Sequence, residues 1–595
     1  MYVKYFMWEW QHVFQNSVET LLEQVLKILE VQAQINTFIL GIPASSEDNN
    51  LIYFQPEFCG FSSNQFSTIF SIARDIFEND PEQNIFMTAS HLNQAHKDSL
   101  YPKALKEAAE FILNEDNVSQ EFISFCSFPI KMNNHWIITV IQIDKSDFYK
   151  QYQLTQKIYE LNDYHKYRIA RSFFEAIIWV ILSKSEQELQ KSSRGENYFL
   201  SDNERVLEDA ASNLLKSIKV RINNFGGDLL ELGNIISSER YEGLGSKGRL
   251  VICKKDNPHI LVKVNLKKAI SINNYRGIRK LLEVSSPTMA LLCDSKNVWG
   301  LGLPLDSYEP HCEDLFEIKF TEHYAWELVH AGNVMLRVKY RRPRLPKERF
   351  NQDQFCDYLY LLFGIDKNQE SLNFLIEAIS AAVDQCHGTM IVVTPEAESE
   401  TERLSYQSTC ITPILASKEI ISHLSSVDGA IVMSPDGFIH SFGVILDGVA
   451  TQNGNPARGA RFNSAIRYVD GQKNNNVNCL AVIVSEDGYV NFYPSLRPRI
   501  QRSYVDQLLN DLDKYSRFSQ DFDEDQSIST LSRLEKLRFY LLKSDIERAN
   551  IAKNIIVSFI NGKRSEEMSR TGLGYIMYEI QDFIFDPAMT EAYYF

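Results

Sequence analysis

The amino-acid sequence predicts an α/β protein, with a mixed central sheet and flanking helices between about residues 351 and 500, a further α/β region before it and a helical region after it. Three features carry that expectation. Leu372, Leu375, Ile376, Ile379 and Val383 recur at three- and four-residue steps, the spacing of an amphipathic helix, and the apolar run Thr389 to Val393 follows Gly388 as a short buried strand. Phe122 to Ile143 places apolar stretches on either side of Asn133-Asn134, as two strands joined by a turn would. Asp-Gly dipeptides at 428, 436, 447, 470 and 487 crowd into one stretch, and because Asp-Gly marks turns needing positive φ, a compact hairpin-rich sheet is expected there.

The elements are justified in chain order. Residues 1–190 form one expected unit, with strand signals at Ile85 to Thr88 and in Phe122 to Ile143, then one long helix over about Phe148 to Leu189 on the periodicity of Ile169, Phe173, Ala176, Ile177 and Val180. A hairpin feeding a sheet and then a long helix is similar to small-molecule sensor domains of the GAF type, which implies a small-molecule or protein signal at the N-terminal region. After the polar joint Lys191 to Asn197, a second α/β sensor unit and basic linker are expected over 196–350. Its helix spans about Asp202 to Asn223, and its strands Arg249 to Lys254 and His259 to Val264.

Within that unit Gly243-Leu-Gly245-Ser-Lys-Gly248 matches G-x-G-x-x-G. A dinucleotide loop follows a strand and opens a helix, so that pyrophosphate meets the helix amino terminus. Here the helical Leu229 to Ser237 precedes the glycines and β-rich residues follow, so a turn leading into a strand is expected instead. Arg337 to Arg349, dense in Lys and Arg with two prolines, reads as a solvated inter-domain linker. In the third unit, 351–500, Ile411 to Leu424 reads as a further amphipathic stretch. The last, 501–595, reads as a helical docking or oligomerisation cap, with amphipathic Leu531 to Leu542 and Ile551 to Ile560.

Composition bounds the function. At roughly 100–200 residues per domain, 595 residues suggest about three to five domains. Sixty-one basic against 77 acidic residues leave a charge of -16, which repels phosphate backbones and argues against a polynucleotide partner, though not against a small nucleotide held by a few local groups. The 9 cysteines contain no C-x-x-C pair, so neither a disulfide framework nor a structural zinc site is indicated, and His311-Cys312 stands without a second pair. Met1 to Gln15 lacks the apolar core of a secretory signal, and the longest apolar run, Ala176 to Leu182, falls far short of the roughly 20 residues of a membrane helix. A soluble, cytoplasmic protein with no membrane partner is expected.

Three elements of the third unit then occur in order: Asp428-Gly429-Ala430 before a strand, Gly459-Ala-Arg461-Phe-Asn463-Ser464-Ala before a helix, and Val482-Ile-Val-Ser485-Glu486 ending a strand. Together with the preceding helix, strand and helix, this order closely resembles the bacterial diadenylate cyclase domain, over roughly residues 370 to 500. The resemblance implies that Asp428 serves the reacting 3′-hydroxyl and a metal. The loop bearing Gly459, Arg461, Asn463 and Ser464 would hold the triphosphate, and Glu486 would help hold Mg²⁺ or Mn²⁺. It implies ATP as substrate and cyclic di-AMP or a related product, made by a homodimer or higher oligomer in which two such domains face each other. Oxygen ligands suit those metals, and a helix amino terminus with an Arg fork suits phosphate.

The family's second motif reads G-T-R-H-R; here Phe462 and Asn463 stand where its His and second Arg would be. Arg458, Arg467, Arg497 and Arg499 are candidates to compensate, and His440 is either nucleotide-facing or an edge-strand residue. Two further readings stay open: a catalytically degenerate cyclase domain acting as a nucleotide-binding signalling module, and a structural interaction protein built on the polar helices.

Overall fold

The computed structural model describes residues 7–595 except 9, 32, 34, 45–51, 57, 58, 60, 62, 86–88, 116–121, 157, 163, 164, 192–201, 241–246, 287, 347, 348, 386, 387, 450–458, 486, 487, 518–523 and 572–578. It is α/β, and its contacts divide it into two compact units, one of Met1–Pro346 with Asp523–Ser529 and Lys563–Met577, the other of Lys347–Phe522, Thr530–Gly562 and Tyr578–Phe595.

The first unit opens with α1 (Gln11–Leu29), β1 (Ile35–Pro43), β2 (Tyr53–Gln55), α2 (Ile69–Glu78), α3 (Ser90–Asn114), β3 (Phe122–Cys126), β4 (Ile130–Met132) and β5 (His135–Asp144). The sheet runs β2-β1-β5-β3, with β4 also on β5. Asn133, at φ 50, turns β4 into β5 as the Asn-Asn signal predicts. Alternate residues of β1 face opposite layers: Ile39 packs with Phe14, Val18 and Phe173, whereas Phe38, Leu40 and Ile42 pack with Ile69, Leu105 and Ile112. The strand expected at Ile85 to Thr88 lies largely outside the described residues, and Ile85 itself is in no strand.

The expected long helix over Phe148 to Leu189 is replaced by α4 (Lys145–Tyr149), an antiparallel pair β6 (Ile158–Asn162) and β7 (His165–Arg168), and only then α5 (Phe173–Lys191). Ile169, the first residue of the expected helical period, lies before the helix, which begins only at Phe173; Leu154 N–H bonds Arg171 O at 2.9 Å and closes the β6–β7 excursion.

Next come α6 (Asn203–Arg221), α7 (Leu229–Ser238), β8 (Gly248–Cys253), β9 (Ile260–Ser271), α8 (Tyr275–Leu281), β10 (Ala290–Cys293), β11 (Asn297–Pro304), β12 (Leu315–Glu322), β13 (Ala325–His330), β14 (Asn333–Lys339) and β15 (Arg342–Arg344). They form a sheet of order β15-β14-β13-β12-β8-β10-β11-β9. Of the glycine motif, residues 243–246 lie outside the described residues, and Gly248 begins β8.

Most of the basic segment belongs to the first unit rather than to a linker, and the boundary between the two units falls only near its end, after Pro346. Its residues from Arg337 to Arg344 lie in the β14–β15 hairpin, and four of them pair with carboxylates of the same unit: Arg337 with Glu327, Lys339 with Glu322 at 2.9 Å, Arg341 with Glu231 at 2.6 Å and Arg342 with Glu204 at 3.2 Å. Its charges match acidic neighbours that only the fold brings near.

The second unit contains α9 (Gln352–Phe363), α10 (Glu370–Val383), β16 (Thr389–Val393), α11 (Ala397–Arg403), β17 (Thr409–Leu415), α12 (Lys418–Leu424), β18 (Ala430–Met433), β19 (Phe438–Val444), α13 (Ala460–Asn474), β20 (Leu480–Val484), β21 (Val490–Tyr493), α14 (Arg502–Tyr515), α15 (Glu524–Lys536) and α16 (Lys543–Thr571), the last two shared with the first unit. The sheet order is β17-β19-β18-β16-β20-β21, mixed because β16 and β18 are parallel while the other pairs are antiparallel. Ile391, Val393, Ile431, Val482 and Val484 face Leu359, Leu375 and Ile379 on one side; Met390, Val392, Val432, Ala481 and Ile483 face Ala465, Tyr468 and Val469 on the other. Burial on both faces explains why these strands read as continuous apolar runs.

The stretch expected as one amphipathic element at Ile411 to Leu424 is β17 followed by α12, whose start Ser417 Oγ caps by accepting from Ile420 N–H at 3.4 Å. Among the Asp-Gly dipeptides, Asp436-Gly437 turns β18 into β19, but Asp470-Gly471 sits inside α13.

Candidate functional site

Strand register brings two of the three singled-out segments, at the start of β18 and the end of β20, to the same end of the second unit's sheet. Ala430, at the start of β18, pairs with Met390 near the start of β16 and with Val444 at the end of β19. Thr389 of β16 pairs with Val484 at the end of β20, after which Ser485 follows. The start of β18 and the end of β20 are therefore two strand spacings apart, about 10 Å.

Asp428 stands at this edge with its side chain 89% exposed. Gly429 behind it, at φ 124, lets the chain pass against β19: a Cβ there would lie 2.5 Å from the carbonyl carbon of Gly443. Gly429→Ala is accordingly expected to cost about 1–3 kcal/mol or more, as strain plus backbone overlap, read as a lowered midpoint in denaturant unfolding. Ala430 is fully buried.

Arg461 arrives from the first turn of α13 and its Nη2 donates to Asp428 Oδ1 at 3.0 Å. Gly459 is the residue before α13; no side chain among the described residues caps that end, and its first turn holds no acidic residue. No described side chain therefore offsets the positive character of that end of α13. Asn463 turns back, its Nδ2 donating to Gly459 O at 3.3 Å. Phe462 is half-buried and packs with the layer of Ala465 and Tyr468. Ser464 is half-buried on the same turn. Ser485 Oγ accepts from Tyr489 N–H at 3.0 Å, while Glu486 lies outside the described residues.

Two of the candidate compensating arginines, Arg497 and Arg499, are engaged elsewhere. Arg499 donates to Ala592 O and Tyr594 O at 3.0 and 2.7 Å and lies over the Tyr360 ring, so it anchors the carboxyl-terminal tail. Arg497 stacks on Phe539, Arg467 is exposed on α13, and Arg458 is outside the described residues. His440 bonds Ser434 Oγ at 3.2 Å toward the hairpin turn, at the far end of β19 from Asp428. His311 is a surface partner of Glu309 at 3.1 Å.

A network that the sequence did not mark borders the edge. Arg403 grips Glu400 through Nε at 2.8 Å and Nη2 at 2.7 Å, and Asp447 through Nη1 at 2.5 Å and Nη2 at 2.9 Å. Tyr468 Oη donates to Glu400 Oε2 at 2.7 Å. Burial works against the ionised Glu400, but the bonds from Arg403 and Tyr468 outweigh it and hold its carboxyl below the ordinary range; Arg403 does the same for Asp447. Glu400 and Arg403, one turn apart on a short helix, resemble any surface ion pair in sequence.

Among the described residues no group of three or more His, Cys, Asp or Glu gathers as a metal site. Asp428 is still a fitting oxygen donor for Mg²⁺, which commonly takes one or two carboxylates and completes its shell with substrate phosphates and water. In the first unit a cavity of about 550 Å³ lies between α5 and α6, walled by Lys184, Arg205, Asp209 and Lys216 among others. No helix of the described residues is long and apolar enough to cross a membrane.

No curated protein matches the chain. Among solved structures, a double mutant of DacA from Staphylococcus aureus aligns with 24% of this chain and 94% of its own, at 18% identity and a TM-score of 0.18. Residues 7–215, which include the first sheet and run through the polar joint into α6, match the family model described as "Probable sensor domain DACNG", and residues 227–332, from near the start of α7 to the end of β13, match "Probable sensor domain DACNH".

Proposed function

We propose that the chain is a sensor-regulated cyclic dinucleotide synthase of the diadenylate cyclase kind, converting ATP to cyclic di-AMP or a related product and pyrophosphate. One observation carries this reading: Asp428 and Arg461, from two segments far apart in sequence, meet at 3.0 Å beside the amino-terminal end of α13, which no described side chain caps. The two regions similar to sensor domains associated with diadenylate cyclases support the regulatory half.

In the proposed reaction each 3′-hydroxyl oxygen bonds to the α-phosphorus of the other nucleotide, the bond to the departing pyrophosphate breaks, and the hydroxyl proton is released. This happens twice to close the ring, so two domains face each other in a homodimer or larger assembly. The protein's contribution is positioning and charge neutralisation. Free N–H groups of α13 and the Arg461 fork take the triphosphate, and Asp428 orients the 3′-hydroxyl. Mg²⁺ or Mn²⁺, held by Asp428 and Glu486, would neutralise phosphate charge. The polar cavity between α5 and α6, with Lys184, Arg205 and Lys216 against Asp202 and Asp209, is the proposed place for a small polar signal, in a cytoplasmic protein.

A second reading, a nucleotide-binding module without turnover, is favoured by Phe462 and Asn463, whose side chains pack or fold back where the family presents an imidazole and a guanidinium. Incubating the chain with ATP and Mn²⁺ and weighing products by mass spectrometry tests the first reading; a cyclic dinucleotide is expected. Binding of ATP by calorimetry with no cyclic product across metals and nucleotides would leave the second.

A further inference from the structure

We infer that Arg403 is a positioning residue for the Asp428–Arg461 site, fixing both flanks of the loop that delivers Arg461. The inference rests on reading that site as a nucleotide site and adds a residue outside every motif. The segment between β19 and α13 leaves the sheet after Val444 and returns at Ala460. On the leaving side, Asp447 is held by two nitrogens of Arg403, and Ile445 N–H bonds Gln407 O at 3.1 Å just beyond α11. On the returning side, Tyr468 reaches from α13 to Glu400, the carboxylate that Arg403 grips with Nε and Nη2. A single guanidinium therefore joins the departure of the loop to the helix at its return.

The platform under this junction is itself fixed. Thr401 Oγ1 and Ser441 Oγ are 3.0 Å apart, buried, and tie α11 to β19. Tyr468 is 2% exposed. Gly448, at φ 150, lies so close to α13 that a Cβ would sit 2.7 Å from the carbonyl carbon of Arg467, which presses the loop onto the helix one residue after Asp447. Arg is the residue type this junction needs: its planar fork can bind two carboxylates at once, whereas a lysine ammonium is one point charge. The Arg403 and Asp447 side chains are 44% and 48% exposed, so their pairing adds little to global stability; what it sets is the placement of residues 445–449 against α11 and α13. A shift of about 1 Å in a positioning element can cost on the order of 100-fold in a reaction that depends on alignment.

The test compares the full chain with Arg403→Lys and, as a milder change at a second point of the network, Tyr468→Phe. Amide hydrogen exchange is followed over residues 445–449 and 459–468 without ligand. The affinity for a non-cleavable ATP analogue with Mn²⁺ is measured in parallel, and circular dichroism checks the fold. Faster exchange in both segments is expected for Arg403→Lys, with nucleotide affinity weakened by about 10-fold or more, and a smaller change of the same sign for Tyr468→Phe. Unchanged exchange in both variants overturns the positioning role, whatever the affinities. If exchange quickens as expected but the unaltered chain binds no nucleotide, the coupling of the two flanks stands and the nucleotide reading of the site fails.

Discussion

Asp428→Asn is expected to lower cyclic dinucleotide formation from ATP by about 100-fold or more while leaving the thermal midpoint nearly unchanged. The two halves of this expectation have separate causes. The Asp428 side chain is 89% exposed and among the described residues makes one ion pair, to Arg461 at 3.0 Å, and an exposed pair of that kind contributes about 0–1 kcal/mol to stability. Asparagine keeps the size and one acceptor oxygen but removes the charge that would orient the reacting hydroxyl and attract a divalent cation. Loss of a preorganised charge at a reacting centre typically costs about 2.7–4 kcal/mol of transition-state stabilisation. Product formation by the variant at the parent rate, measured by mass spectrometry with Mn²⁺ in excess, would remove Asp428 from the chemistry. A fall in midpoint large enough to unfold the variant would instead assign the residue a structural role that its exposure argues against.

How far the sequence reveals the molecule depends on whether a feature is local. Thr389 to Val393 reads as a buried strand because both its faces are covered, and every residue of it is buried. The period of Leu372, Leu375, Ile379 and Val383 reports α10 directly, since all four face the sheet or its neighbours. Pairings between distant segments leave weaker traces. In the β14–β15 hairpin, Tyr340 and Arg341 occupy the turn at φ 51 and 63, positions where Asn or Gly would have advertised it. Without that signal a charge-rich strand is indistinguishable from a solvated run. Asp470-Gly471 misleads in the opposite direction: it is a turn dipeptide carried inside α13, where Tyr493 Oη donates to Asp470 Oδ1 at 2.7 Å and a helical glycine costs only about 1 kcal/mol.

The candidate site divides the same way. The Asp428-Gly429-Ala430 and Gly459 to Ser464 segments stand out as motifs, and Gly429 stands where the backbone requires glycine, against Gly443. Their meeting depends on strand order and register, with Ala430 opposite both Met390 and Val444, which periodicity does not specify. Arg403, Glu400, Asp447 and Tyr468 belong to three separate segments, and each has an ordinary local explanation. Their connection is a property of the tertiary structure alone. Arg499, one of the candidates to compensate for the missing charges, shows the same limit: its guanidinium is occupied by the carbonyls of Ala592 and Tyr594, partners nearly a hundred residues away.

The motif's missing charge supplies the second large effect. Asn463→Arg is expected to tighten ATP binding, raise turnover, or both, by about 10- to 150-fold, the range for one hydrogen bond to a charged group worth roughly 1.5–3 kcal/mol. In the present chain Asn463 spends its amide on Gly459 O at 3.3 Å, within its own helix turn. An arginine at this half-buried position has the length to carry its fork past that carbonyl toward solvent, on the turn whose N–H groups and Arg461 would meet the triphosphate. The neighbouring change, Phe462→His, is a poorer probe, because Phe462 packs with the layer of Ala465, Tyr468 and Val469 and its loss would disturb the helix as well as the charge. The two functional readings separate on this single variant. A parent chain that binds ATP without making product, together with an Asn463→Arg chain that makes it, identifies a cyclase domain silenced by the loss of one guanidinium. A parent already active, with a further gain in the variant, identifies a slow synthase whose rate this position limits. No gain in either affinity or turnover would mean that the triphosphate does not lie against the first turn of α13, and the assignment of Gly459, Arg461 and Ser464 as its cradle would fall with it.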